Sequence, residues 1–174
     1  MAFYLLLTTF CCALAVFQSG YSSSSLNVTQ KIVEKFILEV FEKRFDVELT
    51  VHATTTLFTV VVSMFYVGAL VGALSVSWVA ERIGRKRGLI YPQIFSVVAA
   101  ILMGCCKSAL SYEMLLIGRL SIGISSGIGI GMATLYCGEI APINIRGKLL
   151  LIKSVGNTVG AFTAYVLGLP SILG

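Results

Sequence analysis

From Ala53 to Ala80 the chain runs for 28 residues without one charged side chain. A helix that crosses the hydrocarbon core of a bilayer needs only ~20 apolar residues, and a helix satisfies its own backbone hydrogen bonds where no water can. This single run therefore restricts the chain to a membrane or to an unusually large buried core. Four further apolar stretches repeat the pattern: Ala2 to Phe17, Leu89 to Cys106, Met114 to Cys137 and Leu149 to Leu169. Composition removes the buried-core option. Hydrophobic residues make up 57% of the 174 residues and charged ones 12%, with a mean hydropathy of +0.93. Soluble domains carry roughly 25% charged residues, so polar surface is too scarce here to wrap a soluble core. A cytosolic enzyme, a nucleic-acid reader and a disordered regulator are all excluded.

The reading is an all-α integral membrane protein of about five transmembrane helices. They are placed near residues 3–26, 53–80, 89–106, 114–137 and 149–169, in one unit over 1–174. The first stretch has two readings. A cleaved signal peptide needs a basic start, and no Lys or Arg precedes Lys31; a first helix continuing to about Leu26 fits better. Residues 27–48 change character. Ile32, Val33, Phe36, Ile37, Val40 and Phe41 recur at helical spacing, opposite Lys31, Glu34, Lys35, Glu39, Glu42 and Lys43. That is an amphipathic segment, lying on the membrane or extending the first span. Gly68 and Gly72 form a small-xxx-small pair that lets a neighbouring backbone approach.

Short loops rich in Lys and Arg face the cytoplasm. Four of the six residues 82–87 are basic, and Arg146 and Lys148 lie in the next such loop. These loops are accordingly cytoplasmic, as is the N-terminus, while 27–52 and the C-terminal end face outside. The same rule accounts for the net charge of +5 without nucleic acid. Asn27-Val28-Thr29 is a glycosylation sequon on the outer side, and its closeness to the first span argues against its use. The five cysteines have no metal-ligand spacing with the lone His52 and read as small apolar packing residues. No metal or cofactor is implied.

Nothing in the sequence supports nucleophilic or acid/base catalysis. The glycines at 123, 127, 129 and 131 miss the phosphate-loop spacing and sit mid-span, where close helix packing explains them. Charges inside the membrane are more informative. Arg119 lies several residues within the fourth span, where a cation costs ~2.5–3.5 kcal/mol on insertion scales; it either has an interior partner or snorkels to the outer interface. Glu81, Arg82, Arg85 and Lys86 end one span, and Glu139 and Arg146 flank a later loop on the same side. Such clusters can pair between loops, then break and re-form. In the fifth span Ser154, Asn157 and Thr158 share one helical face, and Gln18, Ser22 and Ser23 form a patch late in the first. Neutral amides and hydroxyls suit a neutral polyhydroxylated solute, or serve only as hydrogen bonds between helices.

These residues resemble a known family. Glu81-Arg82 followed by Gly84-Arg85-Lys86-Arg87 resembles the cytoplasmic signature of the major facilitator superfamily. Gly118-Arg119, Tyr136-Cys137-Gly138-Glu139-Ile140-Ala141-Pro142 and Arg146-Gly147 resemble the sugar-porter signature. Phe17-Gln18-Ser19-Gly20-Tyr21 and the closing Gly168-Leu169-Pro170-Ser171-Ile172-Leu173-Gly174 are similar to the facilitative glucose transporters of animals. The resemblance runs in order along essentially the whole chain.

It implies the N-terminal half of a major facilitator superfamily fold, incomplete by one helix, and alternating access about a sugar site near the midplane. It further implies a conformational charge network of Glu81, Arg82, Gly84, Arg85, Lys86, Arg119, Glu139 and Arg146, and a sugar path along Gln18, Ser22, Ser23, Ser154, Asn157 and Thr158. Glucose or another hexose is the expected solute, with the lipid bilayer, the C-terminal half or a full-length carrier as partners, in the plasma membrane. Two departures stand out. Ser154 replaces the glutamine that the family's fifth helix usually offers to the sugar, and Lys153 replaces a neutral residue or histidine. Proton-coupled relatives place an aspartate where this chain has Ser22, so the resemblance points to uniport. The other open readings are a non-transporting multi-span membrane protein and a truncated regulator of a full-length sugar carrier.

Overall fold

Apolar helices in lipid gain little from hiding apolar surface, so they associate where small residues let their backbones touch. The computed structural model describes residues 2–45 and 50–169, in which seven helices and no strands occur. They are α1 (Ala2–Val28), α2 (Gln30–Phe45), α3 (Val51–Arg82), α4 (Arg85–Ile90), α5 (Pro92–Ala109), α6 (Tyr112–Ile140) and α7 (Arg146–Leu167). Among the described residues, α3, α4 together with α5, α6 and α7 are long and apolar enough to cross a membrane. α1, with 27 residues, is the fifth long helix and packs along α7 and α6. Residues 46–48 of the amphipathic segment and the closing motif from Pro170 to Gly174 lie outside the described residues.

The breaks between helices have local causes. Gly84 takes φ +86° between α3 and α4, a conformation that glycine adopts without steric cost. Pro92 opens α5, where its missing N–H is no loss. Leu110 closes α5 in the left-handed region, and its N–H bonds back to the carbonyls of Cys106 and Lys107. Ser111 then caps α6 by accepting the Met114 N–H at 3.4 Å.

Two glycine seams hold the bundle. Between α3 and α6 a Cβ on Gly68 would collide with the Leu120 carbonyl, and one on Gly72 with that of Ile124. The relation is reciprocal, because Gly123 faces the Phe65 carbonyl and Gly127 that of Ala69. Between α1 and α7, Gly20 lies against the Asn157 carbonyl and Gly160 against that of Phe17. The central helix is α6, which touches α1, α3, α4, α5 and α7. Polar contacts add specificity: Ser96 donates to Ser125 at 2.8 Å inside the α5–α6 contact, and the Tyr112 hydroxyl donates to the Leu57 carbonyl at 3.0 Å. At one end α2 lies across the bundle, with Ile37 wholly buried beside Leu26, Phe58 and Leu115.

Candidate functional site

Arg119 stands on the buried side of α6 and is 2% exposed. Its Nη1 donates to the Ser22 carbonyl of α1 at 3.1 Å, and its guanidinium lies over the Phe65 ring of α3, 5.1 Å from the centroid. The Nε has no hydrogen-bond partner. The side chain thus joins three helices in the interior instead of reaching for the outer interface. An interior cation held by one carbonyl and one ring face is incompletely compensated, which marks this position as costly to keep.

At the α3–α4 junction Arg85 makes the densest polar contact. Its Nη2 donates to Glu139 Oε1 at 2.7 Å and its Nε to both carboxylate oxygens at 3.0 and 3.1 Å. Its Nη1 donates to the Ala80 carbonyl at 2.8 Å. One guanidinium therefore ties the end of α3, the start of α4 and the end of α6. The fork geometry of arginine matches a carboxylate in this bidentate way. Gly84 sets the bend that lets Arg85 turn back. Glu81, Arg82 and Lys86 are exposed around it, and the Arg146 side chain lies beside Gly138, 3.0 Å from where a Cβ would stand.

The neutral polar residues separate into two places. Gln18 lines a groove of about 670 Å³ together with Lys86, Gln93 and Tyr136, walled by α1, α4, α5 and α6. Ser22, one turn deeper, is buried, and the partly buried Ser23 hydroxyl donates to the Gly20 carbonyl at 3.0 Å. Ser154, Asn157 and Thr158 are exposed along α7. Asn157 meets α1 at Gly20, so it is the one member of the stripe in contact with the first helix there. Asn27 is exposed in the last turn of α1.

Three contacts had no signature in the sequence. Arg44 of α2 pairs with Glu113 at the start of α6 at 2.9 Å, across 69 residues. Ser96 and Ser125 meet across 29 residues. Lys153 donates to Thr134 on α6 at 2.5 Å. Only the helical phase of Lys153 relative to Asn157 could have hinted at the last.

The fold and these placements define an all-α integral membrane protein with a buried arginine and ion-paired helix ends. Residues 8–173 match the family model described as "Sugar (and other) transporter", and the chain belongs to this sugar transporter family of the major facilitator superfamily. The facilitated glucose transporter member 5 of solute carrier family 2 from Equus caballus is 39% identical over 157 residues, covering 90% of this chain and 31% of that protein. Member 1 from Gallus gallus is 36% identical over 157 residues, covering 90% of this chain and 32% of that protein. This chain thus spans about a third of the length of these relatives. The proton:xylose symporter XylE bound to 6-bromo-6-deoxy-D-glucose superposes with a TM-score of 0.80 at 18% identity, over 95% of this chain and 37% of that one.

Proposed function

We propose that the chain is the N-terminal portion of a facilitative sugar transporter that carries a hexose such as glucose down its gradient by alternating access. The family match across residues 8–173 carries the sugar-transport part of this reading, and the relatives are named as facilitated glucose transporters. The uniport part rests on charge. α1 contains no Asp or Glu, and between residues 53 and 169 the acids are Glu81, Glu113 and Glu139, each within two residues of a helix end. Proton coupling in membranes runs through carboxylates inside the span, and this chain offers none there.

The conformational part rests on the Arg85–Glu139 contact. An exposed bidentate pair, surrounded by Glu81, Arg82, Lys86 and Arg146, can exchange partners at little cost as loops move, because water resolvates each charge. In this reading Arg119 keeps α1, α3 and α6 moving as one body. Gln18, Ser22, Ser23, Ser154, Asn157 and Thr158 supply neutral donors and acceptors to sugar hydroxyls when the second half of the carrier closes the path. The carrier sits in the plasma membrane, with its N-terminus and the Arg85–Glu139 end cytoplasmic.

The test is uptake of labelled glucose and fructose into proteoliposomes holding the complete carrier. Saturable downhill uptake, unchanged when the proton gradient is collapsed, supports the reading. Absence of uptake with every hexose overturns it.

A further inference from the structure

Lys153, half-buried on α7, is a cation within a span that this reading leaves unused. It follows Arg146, the first residue of α7, by seven positions, so it stands ~10 Å along the helix. A lysine that snorkels sends its ammonium toward the nearer interface. Lys153 instead reaches sideways to Thr134, itself six residues before the end of α6 and so at nearly the same depth. The Thr134 hydroxyl already donates to the Ile130 carbonyl at 2.7 Å. It can only accept from Lys153, which leaves the ammonium two N–H donors to spend.

Among the described residues, no carboxylate pairs with Lys153. Glu139 is engaged by Arg85 and Glu113 by Arg44 at the far ends of α6, and Glu81 lies exposed at the end of α3. Thr134 also borders an open groove of about 560 Å³ between α3 and α6. Ala69, Ala73 and Gly131 keep the groove wide, and Ser77 adds a hydroxyl. On α7, Ser154 adjoins Lys153, and Asn157 lies one turn on, on nearly the same face.

Resting on the sugar-transport reading, we propose that Lys153 is a specificity-determining residue that takes the carboxylate of an anionic monosaccharide, a hexuronate. The neutral groups of Thr134 and Ser77, which border one groove, then serve the ring hydroxyls. A charge-assisted hydrogen bond is about twice as strong as a neutral one, and an ammonium with two N–H donors left over gains most from the ligand that supplies a counter-charge. A neutral hexose leaves that charge unanswered.

Equilibrium binding of radiolabelled D-glucuronate and D-glucose to the complete carrier in lipid nanodiscs tests the inference, with unlabelled acetate as competitor. Glucuronate is expected to bind about tenfold tighter than glucose, the margin of one charge-assisted contact. The preference is expected to vanish in Lys153→Gln, to persist in Lys153→Arg, and to resist acetate. Because the readout is a ratio within each variant, a partly misfolded preparation does not shift it. Equal affinities, a preference that survives Lys153→Gln, displacement by acetate alone, or no binding of either sugar each overturn the inference. Hexose uptake by the complete carrier decides the transport reading separately.

Discussion

The two ends of α6 are both pinned by an arginine–glutamate pair, yet they are built differently. At the first end Arg44 holds Glu113, and the same carboxylate accepts the Ser111 hydroxyl at 2.8 Å. Beneath that pair lies a hydrophobic cluster in which α2 inserts Ile37 against Leu26, Phe58, Cys106 and Leu115. At the other end Arg85 holds Glu139 with no apolar residue of α4 inserted as deeply as Ile37, and with spare charges on both sides. Exposed ion pairs contribute little to stability, whereas burying an aliphatic side chain contributes several times more. The first end is therefore held by packing, with its pair as an ornament. At the second, α4 packs Leu89 and Gly88 against Val79 and Met132, and the exposed pair is the part that the proposed mechanism releases.

Breaking the packed end gives the largest expected effect. Ile37→Ala leaves a cavity in the α2 contact and should cost about 3 kcal/mol, within the range for buried aliphatic truncations. Hydrogen exchange of α2 amides would rise sharply, while α3 and α6 amides stay protected. If α2 remains as protected as before, the packed-end account fails. Next in size is Glu139→Gln. It should slow hexose uptake by the complete carrier about tenfold, the scale of coupling carried by one contact between two conformational states, with bundle protection unchanged. An unaltered rate would remove the releasable-end account. Smaller still is Glu113→Gln, which should change uptake by less than about twofold, since exposed pairs add little. The smallest effect is expected at the sequon. Asn27 is still helical, and the Thr29 hydroxyl is bonded to the Ser25 carbonyl at 3.1 Å. The chain is thus not presented as an extended loop, and Asn27→Gln should leave electrophoretic mobility unchanged in a glycosylating host; a shift would show that the turn opens.

The all-helical membrane class was legible from the charge-free runs, because period and length in a bilayer leave few alternatives. The seam at Gly68 and Gly72 was legible too, since a four-residue spacing of glycines has one use in an apolar helix. The depth of Arg119 was legible, but not its partners. A backbone carbonyl such as that of Ser22 leaves no trace in residue type, and the ring of Phe65 is one of ten phenylalanines. Glu139 stood out as an acid in a basic region, yet only the turn at Gly84 selects Arg85 from the basic residues around it. Gln18 and the 154–158 stripe share chemistry, and sequence could not tell that they occupy separate surfaces. That depends on how α1 rotates against α7, which the contacts of Gly20, Gly156 and Gly160 fix in three dimensions.

One measurement weighs the two ends directly: the hexose uptake rate of the complete carrier bearing Glu139→Gln, beside that of the carrier bearing Glu113→Gln. A fall of about tenfold in the first with less than about twofold in the second is the predicted result. Equal falls in both, or no change in either, would contradict a transporter that is fixed at one end of α6 and released at the other.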